Sequence, residues 1–197
     1  DYVYSCERIS REEKVGIVEV NISCPNVHNG GMAFGITASG AAEVTRAVRK
    51  VVKKPLYMKL SPNVSDITEI AAACEAEGAD GISMINTLLG MRVDIYKKRP
   101  VLANITGGIS GGAILPLSLR MVWQTYERIK IPIIGMGGIS NAEEAVEMML
   151  CGATAIQVGA ANLVNPYAMK EIIEGLDEIL DKMKVQSIKE IIGGAHG

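Results

Sequence analysis

Ile131-Pro-Ile-Ile-Gly-Met-Gly-Gly-Ile139 and Thr154-Ala-Ile-Gln-Val-Gly-Ala-Ala-Asn162 decide how this sequence folds. Each is a short β-branched run that breaks into small residues, and each is followed by a helical pattern. The runs read as strands over Ile131–Gly135 and Thr154–Gly159. The glycines after them leave backbone N–H groups bare at the strands' C-terminal ends. Paired glycine loops on the last two strands of a (β/α)₈ barrel recur as a phosphate site, because uncovered amides can approach the anion. Glycine turns are common in any α/β protein, so the pair gains weight only from what precedes it.

Upstream, the same unit repeats. Val15–Val20, Leu56–Leu60 and Gly81–Asn86 read as three further strands. Between them, Ala41, Val44 and Val48 stripe one helix face and Ile67, Ile70, Ala71 and Cys74 another. Leu115–Ile129 reads as a helix with Pro116 in its first turn, where a missing N–H costs little. Ser65 and Asn141 are expected as N-caps, and Ser187 as the cap of a short terminal helix. Met169 to Met183 stripes a last long helix. Residues 1–14 read as a helix end and a charged loop. Residues 87–112 show no obvious element, and a connection of that length tends to be a lid or ligand loop.

Five strand–helix units in strict alternation imply a parallel sheet with right-handed crossovers. An open doubly wound sheet and part of a closed barrel both fit. The first strand–helix turn is not G-x-G-x-x-G, and the terminal glycine pair favours the barrel. The expected fold is therefore α/β, the C-terminal five strand–helix units of a (β/α)₈ TIM barrel, in a single partial domain over residues 1–197. Five units leave about three of the eight to precede them, and the sequence opens without Met.

Composition narrows the function classes. With 48% hydrophobic residues, one Trp and one Phe, the chain builds an aliphatic core. A net charge of −2 with dispersed cations gives no footprint for nucleic acid. No apolar run reaches the roughly 20 residues of a membrane span, so the expected setting is the cytoplasm. The four cysteines form no C-x-x-C pair, so the sequence offers no metal or iron–sulfur site. Cys6, Cys74 and Cys151 sit in apolar patterns and read as small core residues.

Cys24 differs. In Glu19-Val-Asn-Ile-Ser-Cys-Pro-Asn-Val27 the first strand spills into polar amides, a thiol and a proline. Such a thiol is either a buried structural residue or a reactive group, and the run alone leaves both open. Lys59, inside an apolar strand, reads as a barrel-end residue or as a site cation. Asn86-Thr87 reads as a turn or as a binding pair. His28 reads as a solvent-facing loop residue.

Taken together, the motifs resemble class 1 dihydroorotate dehydrogenases, flavoenzymes of pyrimidine biosynthesis, and subclass 1B in particular. The matching segments are NISCPNV (21–27) with GGMAFG (30–35), MKLSPNV (58–64), GADGISMINT (78–87), RPVLANITGGISGGAILPLSLRMV (99–122), IPIIGMGGI (131–139) and AIQVGAANL (155–163). The resemblance implies an FMN-containing barrel that oxidises dihydroorotate to orotate. It implies Cys24 as the general base for the C5 proton, in an enzyme where a class 2 relative carries serine. A thiol, with a free pKa of ~8.5, can be tuned to that task. It implies Asn21, Asn26, Asn86 and Thr87 as substrate-binding residues, since amides offer donor and acceptor together. For FMN it implies Asn21, Lys59 beside the flavin N1/O2 edge, Ile85 against the ring, and backbone at Gly111, Gly137, Gly138, Gly159 and Ala160. Ala160 stands where threonine is frequent, which removes a side-chain bond to phosphate and leaves the N–H.

Subclass 1B further implies a homodimer joined to an iron–sulfur flavoprotein subunit as a heterotetramer, with FAD and a [2Fe–2S] cluster on that partner and NAD⁺ as final acceptor. The alternatives are a dihydropyrimidine dehydrogenase-like flavoenzyme, a non-flavin phosphate-binding barrel, and an inactive fragment. The uninterrupted VNISCPNVHNGGMAFG (20–35) and RPVLANITGG (99–108) favour dihydroorotate.

Overall fold

A computed structural model describes residues 1–23 and 32–197 of the chain. Helix α1 (Tyr2–Ser10) leads into strand β1 (Val18–Asn21), and α2 (Met32–Gly35) and α3 (Ala38–Arg49) follow. The chain then alternates through β2 (Leu56–Lys59), α4 (Ile67–Ala76) and β3 (Gly81–Met84). Four short strands come next: β4 (Leu88–Met91), β5 (Val93–Asp94), β6 (Arg99–Pro100) and β7 (Thr106–Ile109). The final part is α5 (Leu115–Arg128), β8 (Ile133–Met136), α6 (Ala142–Leu150), β9 (Ala155–Gln157), α7 (Ala160–Val164) and α8 (Ala168–Met183).

The main sheet has five strands in the order β1-β2-β3-β8-β9, every pair parallel. Each strand lies beside the next one in the chain, with no reversal of direction across the sheet. A doubly wound sheet reverses its order at a switch point; this one is wound one way only, so its crossover helices cover a single face. Consistent with that, α3, α4, α5, α6 and α8 pack against one another in sequence.

The sheet also curls. Gln157 Nε2 on β9 donates to Glu19 Oε2 on β1 at 3.0 Å, joining the two strands at opposite edges. A flat sheet would hold those strands roughly 19 Å apart at the usual ~4.8 Å spacing. Only the arc of a barrel brings their side chains into contact across the concave face. The expected five-unit barrel fold is the one observed.

Register assigns the two faces. Val18, Val20, Leu56, Met58, Ile82, Met84 and Ile133 turn toward the helices and are almost wholly buried. They meet Ala41, Val48, Ile70, Ala71, Cys74, Val122 and Met148 in one continuous core. Each such aliphatic side chain contributes about 1.5–3 kcal/mol by leaving water. Glu19, Asn21, Tyr57, Lys59, Ser83 and Gln157 occupy the alternate positions and face the barrel interior.

Two local expectations are corrected. Asp66, not Ser65, caps α4: its Oδ1 accepts from Thr68 N at 2.8 Å. Residues 87–112 are not structureless; β4 pairs antiparallel with β7 and β5 with β6, forming a double hairpin. The Thr106-Gly-Gly-Ile109 strand is half glycine, which hides it from any pattern search. Asn141 and Ser187 cap as expected, accepting from Glu144 N and Lys189 N. On the outer layer, the His196 ring stacks on Trp123 at 3.7 Å, and its Nε2 lies 3.2 Å from the Cys151 carbonyl. No helix among the described residues is long and apolar enough to cross a membrane.

Candidate active site

The C-terminal ends of the strands open into a cavity of about 450 Å³. Lys59 reaches it from β2, and Ile85, Asn86 and Thr87 from the end of β3. Gly111 and Gly112 come from the exit of the hairpin, Gly137 and Gly138 from the exit of β8, and Gly159 and Ala160 from the exit of β9. Seven of the residues expected at a cofactor, and two expected at a substrate, thus share one wall. The peptide joining Met84 to Ile85 at this wall is cis.

The glycines differ in what they do. Gly138 has φ +90°, and a Cβ there would sit 2.6 Å from Leu115 N, so only glycine fits the turn. Gly159 has φ −107°, which any residue adopts, and a Cβ there would meet nothing within 4 Å. Gly159 also lines the cavity. Ser118 fixes the β8 loop by donating to the Gly137 carbonyl at 2.6 Å.

Asn21 is joined to the same wall. Its Oδ1 accepts from Ser23 N at 3.1 Å, from Ser23 Oγ at 2.9 Å and from Asn86 Nδ2 at 3.2 Å. Asn86 Nδ2 also donates to Ser23 Oγ. Ser23 is therefore a site residue that sequence reasoning missed, although it lies inside the NISC run. Asn63 is a second. Its Nδ2 donates to the Thr87 carbonyl at 3.0 Å and its Oδ1 accepts from Leu89 N at 2.8 Å, so it pins the β3 exit to the hairpin. Cys24 and Asn26 lie outside the described residues.

Lys59 faces Glu19, with Nζ 3.6 Å from Oε1. Beside it in register stands Ser83, whose Oγ is buried with no hydrogen-bond partner among the described residues. A cation, the Asn86 amide, the Thr87 hydroxyl and glycine backbone around an apolar Ile85 make a donor-rich pocket. That set suits a flat, polar-edged ring carrying an anionic tail. No cluster of His, Cys, Asp or Glu able to hold a metal ion occurs among the described residues.

The family model for dihydroorotate dehydrogenase matches residues 1–180. The chain belongs to the dihydroorotate dehydrogenase family. It is 56% identical over 192 residues to a protein of Parabacteroides distasonis and 54% identical over 193 residues to one of Bacteroides thetaiotaomicron. It is 53% identical over 196 residues to a third, of Desulforamulus reducens. All three are named dihydroorotate dehydrogenase B (NAD(+)), catalytic subunit, in agreement with the subclass expected from GGMAFG. The matches cover 98–100% of this chain but 63–64% of those relatives, so the chain spans just under two thirds of their length. A crystal structure of the dihydroorotate dehydrogenase of Eimeria tenella in complex with ferulenol superposes with a TM-score of 0.83. That match covers all of this chain and 57% of the other at 21% identity, and bears on the fold.

Proposed function

We propose that this chain carries the FMN-facing part of an NAD⁺-linked dihydroorotate dehydrogenase, oxidising dihydroorotate to orotate for pyrimidine synthesis. The observation that supports this best is the convergence of Lys59, Ile85, Asn86 and Thr87 with three glycine loops on one cavity. FMN, when bound, supplies the acceptor for the two electrons and the hydrogen that leave C6 of the substrate.

The protein's own residues do the rest. Gly137, Gly138, Gly159 and Ala160 offer backbone N–H groups to the phosphate, which needs no side chain at those points. Lys59 presents its cation where negative charge builds on the ring. Ile85 gives the ring an apolar surface. Asn86 and Asn21, locked by Ser23, hold the pyrimidine edge in one orientation, and Thr87 adds a hydroxyl. Cys24 takes the C5 proton as the C5=C6 double bond forms.

The name shared by the relatives, a catalytic subunit, supports a further partner. We assign the onward electron route to an iron–sulfur flavoprotein subunit carrying FAD and a [2Fe–2S] cluster, in a cytoplasmic heterotetramer built on a homodimer of this subunit.

Turnover of dihydroorotate against dihydrouracil tests the substrate; activity on dihydrouracil alone would move the assignment to a dihydropyrimidine dehydrogenase-like enzyme. For the base, Cys24→Ala in the full-length protein is expected to retain FMN and lose flavin reduction by dihydroorotate. Wild-type reduction rates in that variant would remove Cys24 from the role.

A further inference from the structure

We infer that Glu19 restrains Lys59 as its counter-charge inside the barrel, with Gln157 holding Glu19, and that this arrangement limits how strongly the cavity favours a reduced flavin. The inference rests on the FMN reading above and adds a positioning residue to it.

Among the ion pairs of the described residues, Lys59–Glu19 is the one in which both side chains are less than a third exposed, at 21% and 30%. The others lie on outer surfaces, as Arg11–Glu7 and Lys182–Glu178 do, where solvent screens them and they count for little. Inside the arc the screening is weaker.

The geometry is that of a restraint, not a closed pair. At 3.6 Å, Nζ and Oε1 share charge without a hydrogen bond, so the ammonium keeps its donors for the cavity it lines. Lysine is a compact charge on a flexible stem and goes where its partner puts it. Glu19 lies one rung below Lys59 on the neighbouring strand, since Glu19 is in register with Tyr57 and Asn21 with Lys59. It is thus set behind the cation relative to the strand ends. Its second oxygen accepts from Gln157 Nε2 at 3.0 Å, and that amide fixes the carboxylate without adding charge.

Two consequences run in the same direction. Removing the carboxylate charge strengthens the positive field at the cavity, and releasing Lys59 lets its ammonium move toward a flavin edge. Both ease the gain of negative charge by the ring.

The test is a spectroelectrochemical titration of the FMN-loaded full-length protein. Glu19→Gln is expected to raise the flavin midpoint potential and tighten sulfite binding to the flavin several-fold. Glu19→Asp, which keeps the charge and withdraws it by one methylene, is expected to give a smaller rise. In a Lys59→Met background, Glu19→Gln is expected to change little, because its effect runs through Lys59. An unchanged or lowered potential in Glu19→Gln, or an equal rise without Lys59, would overturn the inference. Loss of FMN from both Glu19 variants would do so too, making Glu19 a structural residue. A wild-type protein that takes up no FMN would instead remove the cofactor reading, and this inference with it.

Discussion

Burial pushes the Cys74 thiol from its ordinary value of 9.0 up to about 11, and Cys6 and Cys151 are raised for the same reason. At pH 8 roughly one Cys74 in a thousand is thiolate. Native alkylation at that pH is therefore expected to spare Cys74, with labelling appearing only on unfolding; peptide mass mapping measures it. The fold favours the neutral thiol, so the linked stability is fully present below the unfolded value and is lost as pH rises from 9.0 toward about 11. Denaturant titrations across that window should show the decline, and Cys74→Ala should flatten it. The glycines give a second contrast. Gly138→Ala is expected to disrupt the β8 loop, whereas Gly159→Ala should leave the thermal transition unchanged and weaken FMN binding, because Gly159 lines the cavity and a Cβ there meets no protein atom within 4 Å. At this scale the sequence revealed residues whose chemistry is unusual where they stand, such as Lys59 in an apolar strand. It hid Ser23, Asn63, Ser118 and Glu19. Each is an ordinary polar residue locally, and its role comes from a partner brought close by the fold.

Helix α6 is held at its start by reciprocal bonds. Asn141 Oδ1 accepts from Glu144 N at 2.9 Å, and Glu144 Oε2 accepts from Ser140 N at 2.6 Å and Ser140 Oγ at 2.7 Å. These capping bonds sit directly after the β8 glycine loop. Asn141→Ala is expected to cost about 1 kcal/mol, or roughly 2–4 °C in the melting temperature for a domain of this size, read by calorimetry. The Asn141 cap was legible because its acceptor and donor lie three residues apart. The cap of α4 was legible only to within one position, since Ser65 and Asp66 both carry suitable oxygens and backbone geometry chooses Asp66 (φ −139°). The hairpins of residues 88–109 were not legible at all. Gly90, Gly107 and Gly108 carry no side-chain alternation, and the partner strand of β4 begins fifteen residues beyond its end.

Alternating strands and helices were readable throughout, because each strand is buried against its helices and must be apolar. Single winding was not readable from any one unit; it is a property of strand order. The curl that completes it shows in the contact of Glu19 with Gln157, 138 residues apart. For the molecule as a whole, FMN at 100-fold above its Kd is expected to stabilise the full-length protein by about 2.7 kcal/mol. A thermal shift assay measures this, and the rise should be smaller in Gly159→Ala at equal FMN. The edge-to-edge hydrogen bond carries one more implication, for the order of assembly. Loop closure over so long a separation is slow compared with pairing of adjacent strands. On a ribosome, β1 and β2 emerge well before β9, so Lys59 and Glu19 meet while the amide that orients them is still unmade. The interior gains its final charge geometry at the end of folding, and a nascent chain with four of these strands would hold its cation differently from the finished protein.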